Sequence, residues 1–264
     1  MLITLDRLQD DDRDEVFHVE VTDEWVFYGR VFGGYVAALS GRAALRALGA
    51  AGTRLLSVSV TFVSSVRPGE VRFRTRLVRR MATMAIVQVE AEQGGSVRSI
   101  AQVRFGRRDV AEQPVTPQDV PAPEDCVVPR YVRDNAAFLA HFDERAIDFP
   151  LSHEEFKGGP PRIELWSRPR VAEPEHGQLH DLMVFDSHLL DSVFRVLGWV
   201  SWGVRIVSLD LNVVWFATES SEGWRRLRAV ADIAEDVAVI EGSLFSEKGT
   251  LIARASSQVA ILQR

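Results

Sequence analysis

Apolar and polar residues alternate over residues 57–64, with Val58, Val60 and Phe62 on one side and Ser57, Ser59 and Thr61 on the other. That period of two predicts a half-buried β-strand. Arg67-Pro68-Gly69 supplies a turn, and alternation resumes over residues 71–78 with Arg72, Arg74 and Arg76 on the wet face. Residues 84–92 and 97–105 continue it on either side of Gly94-Gly95. Ahead of these strands the period changes. Gly33, Ala37, Gly41 and Ala44 line one side of a helix predicted over residues 33–48, leaving room for a neighbour to approach, and Gly49 is placed to stop it.

The second half repeats this order. Residues 163–168 read as a leading strand, a helix is expected from Asp181 to about Trp199, and strands follow over 204–215, 224–232, 237–245 and 251–262. Between the halves stand Pro114, Pro117, Pro121, Pro123 and Pro129. They mark residues 109–150 as a linker, with a short helix expected over 130–145. The predicted organisation is an N-terminal unit over 1–108, the linker, and a C-terminal unit over 151–264. One helix followed by hairpin-linked strands implies an antiparallel sheet whose apolar face the helix covers. This is an α+β class, and the arrangement of a hotdog fold; two in tandem make a double hotdog.

Asp186 interrupts the pattern. It lies on the apolar stripe of the second helix with Leu182, Leu190, Val193 and Leu197. A carboxylate there is paired, protonated or used in chemistry. The bland alternative is a buried ion pair with Arg195 or Arg205. Ser208 and Gln258, on later strands, are polar groups able to converge on the acid, or ordinary wet-face residues; Ser208 is expected to share a face with Asp210 and Asn212. His188 is expected at the surface or satisfied.

Composition narrows the classes. The chain has 264 residues, 46% of them apolar, and a net charge of −6. That balance argues against nucleic-acid binding, though a local basic patch suffices for a phosphate-bearing small molecule. Cys126 is the single cysteine, no run of eighteen apolar residues predicts a membrane span, and no signal pattern opens the chain. A cytoplasmic protein is expected. No metal-ligand spacing is present, and Gly33-Gly34 lacks the third glycine of a dinucleotide fingerprint.

Several segments, in order, resemble the TesB-like acyl-CoA thioesterase II family of double-hotdog enzymes. They are Val31-Phe32-Gly33-Gly34, Val66-Arg67-Pro68-Gly69, Leu165-Trp166-Ser167-Arg168, Phe185-Asp186-Ser187-His188-Leu189-Leu190, Ile206-Val207-Ser208-Leu209-Asp210 and Ala255-Ser256-Ser257-Gln258-Val259. The resemblance implies thioester hydrolysis without a cofactor, by a water held between Asp186, Ser208 and Gln258. Some members carry a histidine on the first alternating strand, and residues 57–64 contain none. It also implies an acyl-CoA substrate and a homo-oligomer. Gly33 and Gly34 are candidates for backbone contacts to substrate, or for close packing alone, and Arg67 for a CoA phosphate. Arg79, Arg80, Arg107 and Arg108 are further phosphate candidates. The alternatives are an acyl-CoA or acyl-group binding protein without turnover, and a hotdog hydratase, for which the first helix lacks the acid and histidine.

Overall fold

The computed structural model describes residues 6–9, 14–49, 53–107, 119–129, 136–152, 154–171, 177–198, 205–217 and 222–262. The N-terminal half contains β1 (Asp6–Gln9), β2 (Asp14–Val21), the short β3 (Val26–Phe27) and β4 (Arg30–Val31), and helix α1 (Gly33–Leu48). It continues with β5 (Thr53–Phe62), β6 (Gly69–Arg80), β7 (Met84–Gln93) and β8 (Ser96–Arg107). Next come β9 (Phe142–Asp148), β10 (Arg162–Pro169), and helices α2 (Gly177–His188) and α3 (Asp191–Leu197). The chain ends with β11 (Arg205–Ser208), β12 (Asp210–Trp215), β13 (Arg225–Ile233), β14 (Val237–Ser246) and β15 (Leu251–Leu262).

α1 spans the predicted residues. Gly49 adopts a left-handed φ of 58°, and its N–H closes the helix on the Leu45 carbonyl. The predicted strands form with their apolar faces inward: Val58, Val60, Val71, Phe73, Val87, Val89, Val103 and Phe105 are buried. All the pairs are antiparallel; β3 and β4 pair apart from the rest, which form one sheet ordered β1-β2-β6-β7-β8-β5-β12-β15-β14-β13-β10-β9, with β11 also on β15. Read inward from β2 or from β10 the order is the same: leading strand, then second, third, fourth and first strands after the helix. β5 and β12 meet in the middle, Asp210 opposite Thr61 and Asn212 opposite Ser59. α1 packs on β5–β8, α2 and α3 pack on β10 and β13, and α1 lies against α2. Gly41 makes that crossing possible, since a Cβ there would sit 2.8 Å from Leu179 Cδ2.

Four expectations are corrected. The proline-rich join is not all linker: β9 pairs with β10, and the Trp166 indole N–H donates to the Pro121 carbonyl at 3.0 Å. The helix expected over 130–145 is, among the described residues, only a 3-10 turn at Ala137–His141 leading into β9. The single helix from Asp181 is two. It breaks at Leu189-Leu190, where Ser187 and Ser192 turn their hydroxyls onto the Val184 and Leu189 carbonyls, a local bonding that bends helices. The strand expected over 204–215 is two pieces around Leu209; Val204 and Trp199 lie outside the described residues, as does Arg108. β2 escaped the reading although Phe17, Val19 and Val21 alternate with His18 and Glu20, a signal that was there to find.

Candidate active site

The site is assembled where α2 crosses the start of α1. Asp186 is buried, and its Oδ2 accepts the Gly34 backbone N–H at 2.7 Å. The first amides of a helix have no intrahelical partner and attract negative charge. The glycines are needed for the approach. A Cβ at Gly33 would meet Asp186 Oδ2 at 2.9 Å, and one at Gly34 would meet the Phe32 ring at 2.5 Å. Of the two roles expected for this pair, Gly34 shows close packing; its amide is buried and donates to Asp186.

Among the described residues no arginine forms a salt bridge with the acid. Arg195 is bound to Asp148, Nη2 to Oδ1 at 2.7 Å. Asp186 Oδ1 has no hydrogen bond of normal geometry among the described residues. Burial pushes the Asp186 pKa up to about 6, against smaller lowering by the Gly34 amide and the Ser208 hydroxyl. An acid held near that value is ionised at neutral pH and still basic enough to accept a proton.

Ser208 reaches this acid because of a bulge. Ser208 pairs with Val259, and Asn212 with Ser256, so the three residues between Ser208 and Asn212 stand opposite only two of β15. The extra residue reverses the alternation, as bulges beside functional sites do. Ser208 thereby lines the cavity, while Asp210 and Asn212 serve the other side: Asn212 Oδ1 accepts from Ser59 Oγ, and Asp210 Oδ1 accepts from the Gln258 backbone N–H at 2.7 Å. The expected face shared by Ser208, Asp210 and Asn212 does not exist.

Gln258 is not brought to the acid. Its side chain is exposed and absent from the cavity wall. The neighbour that turns inward is Ser257, buried and donating to the Asp210 carbonyl at 2.7 Å. Arg67 is likewise exposed and away from the cavity, its backbone held by the Gln93 side chain. Arg79 and Arg80 are exposed on β6 and absent from the wall, and Arg80 donates to the Leu48 carbonyl.

A cavity of about 500 Å³ opens at Asp186. Its apolar wall mixes phenylalanines (Phe27, Phe32, Phe62, Phe138 and Phe194) with aliphatic residues such as Val36, Leu190 and Ile206, and Phe32 stacks on Phe138 with centroids 4.0 Å apart. Arg30, Arg98 and Arg205 line it from three different elements, and sequence reasoning named none of them for a phosphate. Nearby, His188 is the satisfied histidine of the two alternatives and not a surface one. It is buried between Asp191 Oδ2 at 3.0 Å and Glu144 Oε1 at 2.9 Å.

Residues 21–106 match the acyl-CoA thioesterase N-terminal domain, and residues 111–262 match the acyl-CoA thioesterase C-terminal domain. The chain belongs to the acyl-CoA thioesterase family, a family of thioester hydrolases. An uncharacterized protein of Mycobacterium tuberculosis (strain H37Rv) is 29% identical over 185 residues; the match spans 61% of this chain and 64% of that protein. A protein of Alicyclobacillus acidocaldarius described as having a hotdog fold superposes with a TM-score of 0.80 at 20% identity, covering 99% of this chain and 96% of that one. The tesB protein of Mycobacterium avium subs paratuberculosis gives 0.77 at 20% identity, covering 98% and 96%. Acyl-CoA thioesterase II TesB2 of Mycobacterium marinum gives 0.76 at 18%, with the same coverage. The fold is of hotdog type, and the TesB-like resemblance read from the sequence is borne out. Among the described residues no helix is long and apolar enough to cross a membrane.

Proposed function

We propose that the protein hydrolyses acyl-CoA thioesters, with Asp186 as the base that activates water. The observation that carries this reading is a buried carboxylate with no cationic partner among the described residues, tied to a helix N-terminus on the wall of a cavity. Asp186 takes a proton from water as the water oxygen attacks the thioester carbon. Ser208 orients that water. The Gly33 amide, at the same helix start, is the donor available to the carbonyl oxygen as it gains charge. The tetrahedral intermediate then collapses, the C–S bond breaks, and the proton held by Asp186 passes to the departing thiolate. The apolar wall receives the acyl group.

Two tandem hotdog units, over 1–108 and 151–264, account for the strand order that repeats from both sides of the sheet. In this reading the second unit supplies the acid and the first supplies the glycines, so neither half holds a complete site. The assembly we propose for the whole protein is a cytoplasmic homo-oligomer, which sedimentation would size.

The outward side chain of Gln258 favours a second reading, an acyl-CoA binding protein without turnover, because one of the three expected water-holding groups is missing. A thiol-release screen with short, medium, long and aromatic acyl-CoA esters separates the two. Release of free CoA supports hydrolysis. Tight binding without release across that panel selects the binding protein.

A further inference from the structure

Five serines line the cavity, and one is unlike the others. Ser64 and Ser65 are exposed, and Ser64 Oγ accepts from Arg98 Nη1 at 3.1 Å. Ser187 donates to the Val184 carbonyl, and Ser208 is turned to the acid. Ser99 is 0% exposed, yet its Oγ has no hydrogen-bond partner among the described residues.

Ser99 stands on β8 in alternation with Ala101, Val103 and Phe105, all buried, so its side chain faces the helix side of the sheet. Its cross-strand neighbours are Phe62 on β5 and Ala91 on β7, and neither side chain can bond a hydroxyl. Phe62 links this position to the catalytic end. A Cβ at Gly33 would lie 3.2 Å from Phe62 Cζ and 2.9 Å from Asp186 Oδ2. Val31, Val36 and Val66 belong to the same wall and offer no polar side chain. A buried hydroxyl without a partner costs free energy. Alanine, the residue at the next inward position of the strand, would avoid that cost. The serine is favourable once a molecule in the cavity brings the missing partner.

Resting on the thioesterase reading, we propose that Ser99 sets the acyl-group specificity. The cavity prefers acyl chains that carry an oxygen beyond the thioester carbonyl, as a hydroxyl or a keto group, over plain hydrocarbon chains of the same length. A serine hydroxyl both donates and accepts, so it serves either kind of oxygen. A plain chain excludes water from around Ser99 and leaves the hydroxyl unbonded. A buried polar group discriminates against the analogue that cannot pair with it. Ser99 takes no part in the chemical step; it selects and orients the chain.

The test compares octanoyl-CoA with 3-hydroxyoctanoyl-, 3-oxooctanoyl- and 8-hydroxyoctanoyl-CoA, for wild type, Ser99→Ala and Ser99→Cys. Wild type is expected to show a higher kcat/KM for at least one oxygenated ester than for octanoyl-CoA. Ser99→Ala is expected to lower that ratio about tenfold, the size of one buried hydrogen bond lost. Ser99→Cys offers only a weak hydrogen-bonding group. It is expected to lower the ratio likewise, and it decides the matter if the alanine variant does not fold. A wild type that prefers octanoyl-CoA to all three overturns the proposal. So does an unchanged ratio in the variants, or an equal loss on every ester. If wild type releases CoA from none of the esters, the thioesterase reading has failed. Calorimetric titration with the same intact esters then decides Ser99 by itself. Tighter binding of an oxygenated ester, lost in both variants, supports the proposal, and equal affinities in wild type overturn it.

Discussion

Two carboxylates on one helix are both buried, yet they have opposite surroundings. Asp181 and Asp186 lie five residues apart on α2, roughly 140° around its axis. Asp181 is bound on both oxygens, Oδ1 by Arg225 Nε at 3.0 Å and Oδ2 by the Trp215 indole N–H at 2.9 Å. Asp186 has the Gly34 amide, the nearby Ser208 hydroxyl and a cavity. Burial raises the pKa of each, and at Asp181 the guanidinium is the main opposing influence. The ordinary explanation for a buried acid, an ion pair with arginine, is thus true of Asp181 and not of Asp186. Burial alone does not mark a catalytic acid; burial without a counter-charge beside open space does.

Substitutions at the two acids should separate activity from stability. Asp186→Asn keeps an acceptor for the Gly34 N–H but cannot take a proton, so kcat should fall by about a thousandfold. Its stability should rise. The unfolded chain loses this proton near pH 3.8 and the folded chain near 6, so the acid's contribution to stability is complete below 3.8 and lost as pH rises through 6. The resulting cost at neutral pH is about 3 kcal/mol, an order of magnitude only. Thermal melts at pH 4 and pH 8 should therefore show Asp186→Asn gaining on wild type only at the higher value. Asp181→Asn should do the reverse. It removes the one buried carboxylate that Arg225 and Trp215 both bind, at a cost of about 3–5 kcal/mol, while the folded fraction keeps most of its turnover. A variant at Asp181 that melts like wild type but is inactive would exchange the two roles.

Smaller effects test the strand side. Ser208→Ala should lower kcat about tenfold by loosening the water, roughly the lower bound for one positioned polar group. Gln258→Ala should change kcat less than about twofold, since exposed side chains away from a site contribute little. Equal losses at the two positions would mean that Gln258 turns inward when substrate binds.

Much of this was legible in the chain. The small-residue face of α1, the alternating strands and the misplaced charge at Asp186 are local patterns, and local patterns survive folding where apolar burial decides them. What was not legible depends on counting residues across two strands. The bulge at Leu209 exists only relative to β15, and it decides that Ser208 turns in, whereas Gln258 turns out by the plain alternation of β15. β9 was hidden because its strand follows a proline cluster and alternates weakly. Arg30, Arg98 and Arg205 converge from distant segments, and nothing in their spacing distinguishes them from Arg67, which faces away.

The most direct measurement is kcat/KM for a good acyl-CoA ester against pH, for wild type and Asp186→Asn. The acid must be ionised to work, so wild-type activity should be level above about pH 6 and fall tenfold per unit below it, the knee following the raised pKa of Asp186. The residual activity of the variant should show no such knee. A wild-type profile level down to pH 4.5, or a variant that keeps both the rate and the knee, would contradict the assignment of Asp186 as the base.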